Sequence, residues 1–444
     1  MVDINGYEIS KAFTGGEPVS AIYSFGVKVW PVTGPVEFGG LKFTALEAGS
    51  FGMDHIGTNE TTTKPYISYS KDGVNWIEWD YTPIEFDAGD FIYFKGVNNR
   101  IGNSARDYSI FTSTGKIAAS GNIMSLLYGD DYEGKLDLSG KDYCFLRIFN
   151  SLPITTTPEL PATKLSDSCY REIFGGCNLI TTAPALPATE LIDSCYYGMF
   201  YKCASLINEP ELPATKLAFM CYGSMFEKCT SLVNAPELQA TTLADDCYHS
   251  MFSGCSKLVN APALPATKLA TVCYYDMFYG CTSLVNAPEL PATELKNYCY
   301  MEMFYGCKRL VTAPELPATI LAESCYENMF FGCKSLVTAP ALPATTLADA
   351  CYRFMFSDCT SLTTAPELPA TTLSKYCYNY MFRKCTKLNY VKADFTTEPS
   401  SKYTNYWLSD VASTGTFVAN TSATWTTSIV RGDTTVPAGW TIQK

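Results

Sequence analysis

Two cysteines eight positions apart, with aromatics and a methionine between them, make up CYYDMFYGC at 273–281, and the frame recurs nine times. Thiol pairs can ligate zinc, close disulfides or exchange electrons. Structural zinc takes cysteines about two to four apart, often with histidine; the spacing here is wider, and the chain holds only His55 and His249. Read as a helix, the segment sets residues eight apart about 12 Å from one another, beyond the roughly 7 Å a disulfide spans. A bridge between neighbouring helices would need packing closer than about 8–10 Å. The total of 19 cysteines is odd, and CYYDMFYGC itself holds no basic residue to lower a thiol pKa. The spacing predicts reduced, buried thiols serving as small apolar side chains, with Cys273, Met277, Phe278 and Cys281 in the core.

The elements that position these residues are repeats. The first cysteine recurs every 26 residues from Cys169 to Cys377, and the second from Cys177 to Cys385, so nine copies run from Leu160 to Ala393 without an insertion. Such a period predicts a solenoid. Leu269, Cys273, Met277, Cys281 and Leu284 fit one face of a short helix, with residues such as Ser166, Asp167 and Ser168 as its caps. The following LVNAPELPAT carries two prolines and predicts a short strand, a turn and a return. Stacked strands advance about 4.7–4.9 Å per copy, giving a strand face about 45–50 Å long. Degenerate copies flank the array, with Cys144, Phe145, Ile148, Phe149 and Leu152 before it and Tyr403–Val411 after it. Atypical ends are what a repeat array needs to close its core.

Positions that vary between copies are candidates for recognition. Tyr279, Tyr305 and Phe331 fill one slot in three consecutive copies and predict an aromatic stripe, joined by Tyr275, Tyr298 and Met301. Such a stripe binds sugar faces or partner proteins; the blander alternative is a tyrosine-rich surface. The column holding Asn208, Asn234, Asn260 and Asn286, with threonines at Thr182, Thr312, Thr338 and Thr364, has two readings. It is either a ladder satisfying buried backbone groups or an exposed polar track for a repetitive ligand. Glu211, Glu237, Glu289, Glu315 and Glu367 read as a solvated edge. Arg431-Gly432-Asp433 reads as a turn between strands. No phosphate loop, nucleophile elbow or paired-carboxylate frame stands out, so no enzyme, cofactor or metal is expected.

The formal net charge of −12 argues against sequence-independent nucleic-acid binding, which needs cations against phosphate, and against docking on an anionic membrane. No run of 18 apolar residues occurs, so no transmembrane helix is expected. MVDINGYEISKAF has neither a basic n-region nor an apolar h-region and does not read as a secretory signal; either a signal has been removed or the protein leaves its cell another way, and a virus particle released by lysis needs none. Residues 36–133 alternate β-rich runs with turn residues and predict one β-sandwich. Within it Asp72-Gly73 marks a hairpin, and SKDGVNW (70–76) falls one residue short of an Asp-box. Residues 412–444 predict a small β cap.

MFYGCTSL (277–284), MFSGCSKL (251–258) and MFFGCKSL (329–336) resemble the core of BspA-like leucine-rich repeats. The departure is a unit longer than that family's, with LPAT added in the return loop. The resemblance covers roughly 137–411 and implies a curved solenoid and a surface adhesin. ISKAFTGGEPVSAIYSFGVKVWP (9–31) resembles a hairpin module at the starts of phage structural proteins, and the whole layout resembles proteins of gut Bacteroidales and their phages. The chain is therefore expected to be an α+β repeat solenoid behind an all-β N-terminal region. Residues 1–35 form an attachment module, 36–133 a sandwich acting as a spacer, 137–411 the solenoid and 412–444 the cap. The expected role is a non-enzymatic, tail-associated receptor-binding protein of a virion. It would read a surface glycan or protein, contact other virion proteins through its first module and possess the symmetry options of a homo-oligomer. The alternative is a BspA-like adhesin at a bacterial cell surface.

Overall fold

The computed structural model describes residues 38–57, 64–423 and 436–444 throughout, and within 1–37 the backbone of six short strands. Those six are β1 (Val2–Ile4), β2 (Tyr7–Ile9), β3 (Phe13–Thr14), β4 (Glu17–Pro18), β5 (Ile22–Ser24) and β6 (Val27–Trp30). They pair consecutively as antiparallel hairpins, β1 with β2, β3 with β4 and β5 with β6.

Eight strands follow: β7 (Lys42–Ala45), β8 (Gly49–Ile56), β9 (Ser68–Ser70), β10 (Ile77–Glu78), β11 (Ile84–Phe86), β12 (Phe91–Lys95), β13 (Tyr108–Ser113) and β14 (Ile117–Ser120). They form two sheets, ordered β10-β9-β12-β7-β14 and β11-β8-β13. Alternate residues of the strands bury Phe43, Phe51, Phe94 and Phe111 between them, the period-two pattern of sheets with one solvated face. The SKDGVNW stretch is a hairpin, β9 to β10. The Asp72 carboxylate accepts from the Val74 and Asn75 N–H groups and ties the turn. Those bonds, Asn75's first, hold Asp72 well below the ordinary carboxylate range.

The sandwich is not a spacer. Phe149, in the degenerate first copy, packs its ring against Phe43 and Phe111 of the sandwich at 6.0 and 5.9 Å and against Phe174 of the next copy at 5.8 Å. Ile117 and Asn122 pair in parallel with Ile154 and Glu159, so β14 supplies the strand position before the first coil. Sandwich and repeats share one apolar core, and the sandwich covers the N-terminal end of the stack.

The expected helix is absent from every copy. A single short α1 (Ser125–Tyr128) is the α-helix among the described residues. From Ser168 to Cys177 the backbone instead alternates two bonds. Cys169, Arg171, Ile173, Gly175 and Cys177 donate three residues back, while Ser168, Tyr170, Glu172, Phe174 and Gly176 donate to the following coil. Every fourth residue is left-handed, as at Val272 (φ 59°), Asp276 (φ 56°) and Gly280 (φ 68°). The result is a ribbon of overlapping turns with a period of four. That period explains the strict 4, 4, 4 spacing better than a helix, which drifts at 3.6. A left-handed non-glycine residue costs roughly 1–2 kcal/mol, and the coil-to-coil bonds together with complete burial of Cys, Tyr, Met and Phe offset it. Gly280, Gly306 and Gly332 sit where the ribbon turns with positive φ; a Cβ there would meet the preceding glycine only at an ordinary contact distance of 3.8–3.9 Å, so the backbone conformation is what favours glycine.

Caps are also redirected. Asp193, Asp245, Asn297 and Asp349 accept, through their side chains, the N–H of Phe219, Thr271, Glu323 and Lys375, each one coil on. The predicted strand shrinks to one parallel bridge per copy, as in Asn260 to Asn286 to Thr312 to Thr338. Prolines in the return segment remove the donors a longer ladder needs. The bridges run on into β15 (Tyr390–Ala393), β16 (Gly415–Ala419) and β17 (Trp440–Gln443), which pair in parallel as Tyr390 to Thr416 to Thr441. The C-terminal strands thus extend the stack's own ladder.

Candidate functional site

The inner side of the ribbon is filled by columns. Tyr170 through Tyr378 stack in parallel at 5.8–6.1 Å, and Phe174 through Phe382 at 5.6–5.8 Å. Cys273, Met277, Phe278 and Cys281 are fully buried, and all 19 thiols are free. The reason they are free differs from the expected one. Coils lie closer than helices do, but in-register side chains repeat at the coil spacing, wider than the roughly 3.5–4.5 Å between the Cβ atoms of a disulfide. Burial pushes the Cys273 thiol up to about 12 and Cys281 well above its ordinary value. The second cysteine of each regular copy is also a donor. Cys281 Sγ lies 3.2 Å from the Phe252 carbonyl and Cys203 Sγ 3.1 Å from that of Phe174, both on the preceding coil. A purely apolar residue of that size would not make this bond.

The outer side carries the two residues after each Cys-Tyr pair and the one after Met-Phe or its equivalent. In the C-terminal half these form a ladder of rings. Tyr279 stacks on Tyr305 at 4.6 Å and Tyr305 on Phe331 at 4.6 Å. Phe331 meets Phe354 at 6.3 Å, Phe354 stacks on Tyr380 at 4.4 Å, and Tyr380 on Tyr406 at 5.4 Å. All are half-buried. Sequence reasoning missed Phe354, Tyr380 and Tyr406 because they occupy the slot two before the Met-Phe pair's aromatic, not the slot after it.

The other residues of the expected stripe lie apart. Tyr275 meets His249 edge-on at 5.1 Å. Tyr298 sits in a left-handed position with its hydroxyl 3.1 Å from Glu323, and no ring contact joins it to the ladder among the described residues. Met301 occupies Tyr275's slot one coil on. Asn208, Asn234, Asn260 and Asn286 are exposed on the separate face that carries the parallel bridges. The Asn208 amide donates to the Thr182 hydroxyl at 2.9 Å. Being exposed, these side chains are not buried to serve the backbone. Arg431, Gly432 and Asp433 lie outside the described residues.

Carboxylates accompany the ladder. Glu327 is buried and held by Ser324 Oγ at 2.7 Å and Arg353 Nη1 at 3.1 Å. Asp276 and Glu302 are like charges on adjacent coils. Burial first, then Glu302, pushes the Asp276 carboxyl up to about 8; burial also raises Glu302, which Asn328 Nδ2 approaches at 3.2 Å.

In the N-terminal half the same columns hold Gly175, Gly198, Gly223, Ser224, Ser250 and Ser253 between larger residues, and the surface is cut by two adjoining concavities. One, of about 250 Å³, lies between Tyr108, Arg147, Glu172, Gly175 and Tyr201; the other, of about 180 Å³, between Glu172, Tyr197, Gly198, Tyr201 and Glu227. Arg147 donates to both Glu172 oxygens at 2.8 and 2.9 Å and to the Tyr108 hydroxyl at 3.0 Å. Burial opposes its charge, but the Glu172 bonds outweigh that and hold the guanidinium above its ordinary pKa. A wider hollow of about 440 Å³ lies where Glu209 and Gln239 break the repeat, lined by glutamates and prolines without an aromatic wall.

A Ser–His–Asp set lies in the sandwich: His55 Nδ1 is 3.2 Å from Ser109 Oγ and Nε2 is 3.3 Å from Asp107. Ser109 pairs directly across from His55 and is only 1% exposed, so its hydroxyl is closed to a substrate. Among the described residues no three His, Cys, Asp or Glu side chains gather as a metal site, and no helix is long and apolar enough to cross a membrane.

No curated protein matches the chain. Among solved structures, a leucine rich cell surface protein from Faecalibacterium prausnitzii A2-165 is similar at 14% identity with a TM-score of 0.30, covering 65% of this chain and 83% of that one. The family model that matches is the BspA type leucine rich repeat region, in six copies over residues 293–409, so that part of the chain is a BspA-type repeat region.

Proposed function

We propose that this protein is a non-enzymatic adhesin at a bacterial cell surface that grips a protein on another cell through its aromatic ladder. The observation that carries this reading is the line of stacked rings from Tyr279 to Tyr406 on the outer ribbon. Contiguous aromatic surface with arginine beside it is the composition of interface hot spots. The chemistry also favours protein over sugar at this place. A pyranose stacks on a ring's face, and within the ladder's two stacks the rings spend their facing sides on one another. What remains outward is ring edge, phenol hydroxyl and the Arg353 and Arg383 guanidiniums, which lie 5.2 and 6.0 Å from the Phe354 and Tyr380 rings. The BspA-type region at 293–409 spans most of the ladder, and BspA-like proteins are generally surface adhesins.

The test is binding of the full chain to intact bacterial and host cells by flow cytometry. Tyr305→Ser with Phe331→Ser is expected to lower binding at least tenfold, and protease treatment of the target cells to abolish it. Binding unaffected by both changes contradicts the reading. The tail-associated alternative draws support from residues 9–31 alone, where short antiparallel hairpins stand. Antibodies that decorate virions and leave cells bare would favour it.

A further inference from the structure

We propose that the groove between the sandwich and the fourth coil, walled by Tyr201 and floored by the Arg147–Glu172 pair, binds a neutral saccharide. This proposal does not rest on the adhesin reading, since it concerns a different part of the ribbon and a different ligand.

Tyr201 divides the two concavities and lines both. Its equivalent on the preceding coil is Gly175, which has no side chain, so one ring face opens onto the larger compartment. No aromatic ring stacks on it among the described residues. The ammoniums of exposed Lys202 and Lys228 lie 4.9 and 5.3 Å from its centroid. In the ladder, by contrast, the facing sides of Tyr279, Tyr305 and Phe331, and of Phe354, Tyr380 and Tyr406, are covered by the next ring. The second compartment exists because Gly198 replaces the larger residues of its column. It is left-handed (φ 58°), and a Cβ there would come within 2.9 Å of Glu172 Cγ.

The polar groups define the ligand. Arg147 and Glu172 bond each other in the forked geometry that fixes both planes, and Glu227 is paired with Lys228 at 2.7 Å. Arg171 also reaches Glu172, at 3.5 Å, so both carboxylates of the groove are paired. The exposed Lys202 ammonium at its rim is the groove's remaining cation among the described residues, and the charged control in the experiment below reads whether it draws an anion. A planar pair with spare lone pairs and N–H groups suits adjacent hydroxyls, and a free tyrosine face suits the apolar side of a ring. A neutral pyranose carries both. Together the compartments lie in the range of small-ligand sites, about 300–1,000 Å³.

The experiment is saturation-transfer NMR of the full chain with methyl glucoside, methyl galactoside, methyl mannoside, methyl N-acetylglucosaminide and, as the charged control, methyl glucuronide. At least one neutral glycoside is expected to bind and the glucuronide to bind at least tenfold more weakly. Tyr201→Ala is expected to weaken binding at least tenfold, Tyr201→Phe to retain it, and Tyr305→Ser in the ladder to leave it unchanged. Tyr197→Ala, at the second compartment, provides an independent variant should Tyr201→Ala fold poorly. Absence of a signal from every neutral glycoside, preference for the glucuronide, or binding that survives both alanine variants overturns the proposal.

Discussion

The groove and the ladder occupy one face of one ribbon, built from the same slots of the same repeat, yet they offer opposite surfaces. Around Gly175, Gly198, Gly223 and Ser224 the slots are small, so Tyr201 stands as an isolated wall beside a hollow. From Tyr279 onward rings recur in these slots, and within each stack they lose their facing sides to one another. In an in-register stack, a side chain's closest companions are its equivalents one coil away. The column, not the local sequence, therefore decides whether a tyrosine presents a face or an edge. A single substitution in a column should convert one kind of surface toward the other.

Substitutions that test this contrast can be ranked by size. The largest effect belongs to what both regions share: Phe304→Ala, beneath the ladder, should cost about 3–5 kcal/mol in denaturant unfolding, and Phe200→Ala, beneath the groove, the same. A much smaller cost on one side would show that the two halves do not stand on a common core. Next, Arg147→Met leaves Glu172, only 14% exposed, without its main partner. About 1.5–3 kcal/mol of stability should be lost, with the ladder's binding untouched.

The third test uses pH. The Asp276 carboxyl is raised in the folded protein, so the fold binds a proton that the unfolded chain releases above its ordinary value near 4. Stability should then fall as pH rises toward about 8 and level off beyond. Asp276→Asn should flatten that slope and raise Tm at pH 7 while leaving Tm near pH 4 unchanged. An unaltered slope would place the titrating group elsewhere. The smallest effect is expected from extending the ladder toward the groove. Ser253→Tyr puts a ring beside Tyr279 in its own column and should add about 0.5–1.5 kcal/mol through one more stacked pair. No gain in chemical denaturation would mean that the column does not order a new ring.

The repeat length, the number of regular copies and the inward columns were all legible, because the 26-residue period is unbroken and Cys, Met and Phe recur in phase. The turn ribbon was not read, since a 4, 4, 4, 3 spacing fits both a helix and a period of four. The discriminating signal lay in other slots. Ser168, Ser194, Asp246 and Ser324 in one, and Gly176, Gly254, Gly280, Gly306 and Gly332 in another, suit positive φ and do not suit a helix interior. Recognising them would also have put Phe354 and Tyr380 on the outer face with Phe331. The groove was not legible at all. It depends on Tyr108 and Arg147 being brought together by the docking of the sandwich on the first coil, a contact with no trace in the repeat pattern.

The most direct test sets the two regions against each other on the same cells. Full-length wild type, Tyr305→Ser with Phe331→Ser, and Tyr201→Ala are compared for binding to target cells treated with protease, with periodate to destroy glycans, or with neither. The account predicts that the ladder variant loses the protease-sensitive binding and the groove variant the periodate-sensitive binding. Identical behaviour of the two variants across all three treatments would contradict it.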